Sequence, residues 1–62
     1  MITVTIGPER TELEASTPMQ ALQALSLLPD AHIVLRDNMP IPLDEPLLHG
    51  DMIKIIRVAS GG

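Results

Sequence analysis

The sequence closes on Ala59-Ser60-Gly61-Gly62, and a glycine pair ahead of a terminal carboxylate is its feature of most evident chemical use. Without Cβ atoms, that backbone can thread a narrow channel, adopt φ angles closed to other residues and approach a nucleotide closely. A larger side chain at Gly62 would crowd the reacting carbon. The ordinary reading of such a pair is a frayed end, and with glycine near 7% of residues a chance pair closes roughly half a per cent of chains. What lifts the pair above that background is the apolar run from Met52 to Val58 that leads into it. Arg57, just ahead of the tail, can pair with an acidic residue on a partner or serve as a solvated strand charge.

The other candidates are weaker. His32 and His49 have no tight ligand spacing and no partner set, so they read as strand and turn residues and no metal site is expected. No serine is flanked by nucleophile-elbow glycines and no phosphate-binding loop is present. Cysteine is absent, which removes disulfides, thiolate metal sites and thiol nucleophiles and fits a reducing compartment. The net charge is −4, with Arg10, Arg36, Lys54 and Arg57 as the cations, so no basic stripe exists to neutralise phosphates and nucleic-acid binding is not expected. No apolar stretch nears the ~20 residues of a membrane span, and no signal-peptide start is present. The chain is therefore expected to be soluble and cytoplasmic, without membrane contact.

The 62 residues allow one domain, and with no Phe, Tyr or Trp its core must be aliphatic. Met1 to Ile6 alternates apolar residues with threonine, which sets Ile2, Val4 and Ile6 on one face of a strand. Gly7-Pro8-Glu9-Arg10 signals a turn, and Thr11 to Ala15 alternates again, so the two runs predict a β-hairpin. Thr17 can cap a helix with Pro18 at its first position and Gln20 completing a capping box. The helix is predicted over 19–28, with Ala21, Leu22, Leu25 and Leu28 on its apolar side and Pro29-Asp30 as its stop. His32 to Arg36 reads as a strand followed by the turn pair Asp37-Asn38, and the prolines of Met39-Pro40-Ile41-Pro42 place that segment at a sheet edge. Leu43 to Asp51 reads as an irregular connection pinned to the core by Leu47 or Leu48. Met52 to Val58 is the last strand, with Ile53 and Ile55 inward and Met52, Lys54, Ile56 and Val58 outward. Hydrophobicity places Ile33 and Leu35 inward on the third strand. The expected architecture is an α+β roll, one helix packed across a mixed sheet.

The strand order, the run Leu47-Leu48-His49-Gly50-Asp51-Met52-Ile53-Lys54-Ile55-Ile56 and the closing Ser60-Gly61-Gly62 resemble the ubiquitin-like β-grasp sulfur carriers of thiamine and molybdopterin biosynthesis and the small archaeal ubiquitin-like modifiers. The resemblance spans essentially the whole chain. It departs at His49, where the family often has an acidic residue before the Gly-Asp turn, and at Asp37-Asn38, where Asn-Gly or Asp-Gly is common. It implies a sheet of four or five strands in the order ββαββ, a β-grasp domain over residues 1–58 and a flexible tail over 59–62. It also leaves the register of the third strand open.

The resemblance further implies a co-substrate and not an enzyme. An E1-like enzyme would adenylate the Gly62 carboxylate using ATP and magnesium, with no cofactor bound by the chain itself, and Gly61 as conformational partner. The product would be a thiocarboxylate for sulfur transfer in thiamine, molybdopterin or tRNA thiolation, or a conjugate to a target lysine. Partners would be the activating enzyme and a sulfur-accepting enzyme or target protein. Ile56 and Val58, with Arg57 and a residue from Val34 or Leu35, are the candidates for an apolar docking patch. The competing reading is a noncovalent ubiquitin-like interaction module with an inert tail.

Overall fold

A computed structural model of the chain describes residues 1–58, and the expected tail over 59–62, Gly61 and Gly62 included, lies outside them. The elements are β1 (Ile2–Ile6), β2 (Glu9–Leu13), α1 (Pro18–Ala24), a 3-10 turn (Pro29–Ala31), β3 (His32–Arg36), β4 (Met39–Pro40) and β5 (Met52–Arg57). They form one mixed sheet in the order β2-β1-β5-β3-β4, in which β1 runs parallel to β5 and the other pairs are antiparallel. The α+β class and the single helix are as expected, and the arrangement is compatible with a β-grasp. Three strands follow the helix where the ββαββ order has two, and the extra one is the edge segment at Met39-Pro40: the Asp37-Asn38 turn returns enough chain to pair Met39 with Arg36 and Pro40 with Leu35.

The turns explain the strand limits. Gly7 has φ +55° and is followed by Pro8, so a two-residue connection joins Ile6 to Glu9 and β2 begins earlier than the alternation from Thr11 suggests. Asp37 and Asn38 have φ of 55° and 65°, the paired positive values of a type I′ turn, which these two residue types tolerate better than most. β4 lies at the sheet edge, where Pro40 has no ladder donor to lose.

Thr17 caps α1 by accepting from the Gln20 amide, while Gln20 Oε1 accepts from the Ser16 amide at 2.7 Å. The predicted capping box is therefore present, displaced by one residue on its return arm. The helix ends at Ala24, four residues before the predicted Leu28. Ser26 adopts φ 59°, its N–H bonds to Gln23 O, and the Leu27 N–H bonds to Leu22 O at 2.9 Å. This paired 5→2 and 6→1 pattern is a Schellman ending with serine where glycine is usual. Leu28 consequently falls beyond the helix and is exposed, in contrast to its predicted place on the apolar side.

Ala21 and Leu22 of α1 pack with Ile2, Val4, Val34, Ile53, Ile55 and Leu47 to form the core. Burying Leu22 alone contributes about 2–3 kcal/mol. Leu47, and not Leu48, pins the connection before β5, and the Leu47 N–H bonds to Ser16 O at 2.8 Å. On β3, whose register the resemblance left open, the hydrophobicity preference is reversed: Val34 is 1% exposed and Ile33 39%, so Val34 points inward and Ile33 and Leu35 point outward. Pairing with β5 decides this, since Val34 lies opposite the buried Ile55 and Ile33 opposite Ile56.

Because a left-handed backbone costs a non-glycine residue about 1–2 kcal/mol, and glycine returns part of that through its freer unfolded chain, Ser26→Gly is expected to stabilise the domain by roughly 0.5–1 kcal/mol. Urea denaturation of the two proteins measures this, with an unchanged slope expected.

Candidate functional site

One face of the sheet is covered by α1 and the connection carrying Leu47, and the other faces solvent. Alternation along β5 puts Ile53 and Ile55 in the core and Met52, Lys54 and Ile56 on the outer face, as predicted. Ile33 and Leu35 join them from β3, and Thr3 and Thr5 from β1. Ile56 is 38% exposed and faces Ile33, so two β-branched side chains meet there without a layer above them.

The residues named for the patch fall in different places. Ile56 lies on the outer face with Leu35, whereas Val34, an alternative contributor, is core. Arg57 follows the phase of Ile53 and Ile55, opposite His32, and so emerges on the other side of the sheet from Ile56. Val58 lies just past the strand, half-buried, with its N–H bonded to Ala31 O at 2.8 Å. That bond fixes the chain to within four residues of Gly62. Gly61 and Gly62 themselves lie outside the described residues.

Sequence reasoning placed Met52 on this face but put Ile33 on the other. Apolar residues run through Ile33-Val34-Leu35 without a break, so no alternation marks the side. Shallow hollows among the described residues border the face. One, of about 350 Å³, is lined by Thr5, Leu35, Met52 and Lys54 together with Asp37 and Asn38 of the β3–β4 turn. Another, of about 440 Å³, lies where β5 runs on past the end of β1 and is lined by Ile6, Gly7, Lys54, Ile55, Ile56 and Arg57. Lys54 borders both.

Behind this face a charged clamp holds the irregular connection. Arg36 donates to Glu45 at 2.7 Å, to Asp51 at 3.3 Å and to Pro46 O at 3.3 Å. The hydrogen bond to Glu45 is the main cause that raises the guanidinium further above its ordinary value, aided by the charges of Glu45 and Asp51 and opposed by burial. Asp51 also accepts from the Leu48 amide at 2.9 Å, and Gly50 at φ +88° makes the turn into β5. Lys54, Arg10 and Arg57 form no ion pair among the described residues.

The histidines serve structure. His32 Nδ1 donates to Leu28 O at 2.8 Å, holding the 3-10 turn against β3. The Met1 ammonium lies 2.7 Å from His49 Nδ1 and 2.9 Å from Glu14. Among the described residues no cluster of three or more His, Asp or Glu is placed to hold a metal. No helix of the described residues is long and apolar enough to cross a membrane.

A small five-stranded mixed α+β domain with an open outer face is the class this geometry defines. No known family profile matches the sequence. The chain is 33% identical over 61 residues to an uncharacterized protein of Archaeoglobus fulgidus, with 92% of this chain and 90% of that protein covered. It belongs to the same family as that archaeal protein.

The hydrogen bond and charge of the Met1 ammonium hold Glu14 below the ordinary value of 4.5. A carboxyl whose folded value is depressed contributes stability above its unfolded value and loses it as the pH falls through the folded one. The Glu14–Met1 contribution is therefore expected at neutral pH and lost in acid below 4.5. Thermal melts of the wild type and Glu14→Gln should differ at pH 7 and converge in acid.

Proposed function

We propose that the chain is a ubiquitin-like β-grasp carrier whose Gly62 carboxylate is activated by an E1-like enzyme and then accepts sulfur, with conjugation to lysines as a second outlet. The observation that supports this most is the placement of β5. It is an interior strand, held on both sides by β1 and β3, and it leads toward Ser60-Gly61-Gly62 beside an open apolar face. A rigid strand gives the tail a fixed root, and the glycines give it access to a narrow site. The folded body then supplies recognition while the tail supplies the reacting group.

The chemistry is demanding because a carboxylate has no good leaving group. In the activating enzyme, a Gly62 carboxylate oxygen attacks the α-phosphorus of ATP and pyrophosphate leaves, with magnesium offsetting phosphate charge. A sulfur nucleophile then attacks the acyl carbon, AMP leaves, and a thiocarboxylate remains once any sulfur carrier is released by a thiol reductant. An amine at the same carbon gives an amide instead. The chain contributes the carboxylate and the docking surface. ATP and magnesium belong to its partner, and the chain itself is a co-substrate.

Ile33 and Ile56 also support a second reading, a noncovalent interaction module that docks through the outer face with an inert tail. One experiment separates the two. The chain is mixed with ATP, magnesium and the E1-like enzyme of its source organism, and intact mass is followed for a terminal adenylate or an oxygen-to-sulfur exchange. The carrier reading expects either product, its loss on deleting Gly62, and a KM increase of roughly tenfold or more for Ile56→Asp. Products that persist after Gly62 deletion refute it. Binding that survives the deletion without any product, yet is abolished by Ile56→Asp, establishes the module.

A further inference from the structure

We propose that the ε-amine of Lys54 is an acylation site whose modification closes the outer face to its partner, a proposal that rests on the carrier reading above. Lys54 is the one lysine in the sequence. It is exposed, and its ammonium makes no hydrogen bond or ion pair among the described residues. Its strand is interior, with Thr5 beside it on β1 and Leu35 on β3, so its backbone has little freedom to carry the side chain off the face. Met52 and Ile56 flank it along β5, and it borders both hollows.

This placement has two consequences. An ammonium ringed by Met52, Ile56, Leu35 and Thr5 suits a partner surface that is apolar and carries a carboxylate at its centre. Two copies of this chain are poorly suited to each other here, since a two-fold contact through the face would set Lys54 against Lys54. Acylation removes that charge and adds bulk at the middle of the contact. The α-amine of Met1 is a poorer competitor for acyl donors, because it must first leave Glu14 at 2.9 Å and His49 at 2.7 Å.

The donor is an activated acyl phosphate: the adenylated Gly62 of a second copy, or a small metabolic acyl phosphate. The unprotonated amine attacks the acyl carbon, and the C–N bond forms as the bond to the phosphate oxygen breaks. AMP, or inorganic phosphate from the small donor, leaves with the electron pair. Two protons pass from the original ammonium to solvent.

The test has two arms. In one the full chain is treated with acetyl phosphate; in the other it is incubated with the E1-like enzyme, ATP and magnesium. Peptide mass mapping then looks for acetyl-Lys54 or a Gly62–Lys54 linkage. Acetyl-Lys54 alone assigns the small donor, a linked pair assigns a second copy, and neither product overturns the proposal. Pyrophosphate release by the activating enzyme is then measured for untreated chain, acetylated chain, Lys54→Gln, and Lys54→Arg given the same acetyl phosphate treatment.

Acetylated chain and Lys54→Gln should lose about tenfold in kcat/KM through a raised KM, and Lys54→Arg should turn over equally before and after the acetyl phosphate treatment. Unchanged rates for acetylated chain and Lys54→Gln overturn the proposal, as does an equal loss in treated Lys54→Arg, which would implicate Met1. No pyrophosphate from untreated chain overturns the carrier reading and this proposal together. Matching thermal melts of the variants exclude misfolding as the cause of any loss.

Discussion

The parallel pairing of β1 with β5 is the constraint on which the rest depends. Parallel neighbours cannot be joined by a tight turn, so everything between them in the chain must form a crossover that returns to the sheet. Here that crossover holds β2, α1, β3, β4 and the Arg36-bound connection. The Thr3 N–H bonds to Asp51 O at 2.9 Å, and Thr3, Val4, Thr5 and Ile6 then align with Met52, Ile53, Lys54 and Ile55. With that register set, Val4 and Ile53 enter one core and Lys54 is sent to the other side. The outer face is left uncovered because the single helix of the crossover lies on the opposite face.

Local signals in the sequence were reliable where the physics was local. The Thr17-Pro18-Gln20 start of α1 depends on a hydrogen bond across three residues, and it forms as read. β5 was legible because Lys54 interrupts the apolar run and shows which phase faces water. The helix end was not legible, since a Schellman turn with serine at the left-handed position carries no glycine to mark it. The β3 register stays open in the sequence because three successive apolar residues have no phase of their own, and only pairing with β5 assigns one.

The candidate site shows the same division. Ile56 could be placed on the outer face from alternation within its own strand, whereas Ile33 reaches it only through a cross-strand pairing. Arg57, adjacent to Ile56 in sequence, lies on the opposite side of the sheet because the strand period is two. The Arg36 clamp joins residues nine and fifteen apart through a connection without regular structure, so no periodicity announces it. Its three acceptors lie in the segment that delivers the chain to β5, and in that position it stabilises the turn from which the last strand starts.

The parallel β1–β5 pair also determines how the domain bears mechanical load. A pull on the chain beyond Arg57, resisted at Ile2, drives two side-by-side strands past each other along their length. The hydrogen bonds between them lie across the pull, so they are strained together and cannot open one after another as a hairpin's do. β3 grips the other side of β5 and adds its own ladder to the resistance. A motor protein that drew this chain in by its C-terminal end would meet this sheared pair first, whereas one that began at β4 would meet a strand of two paired residues.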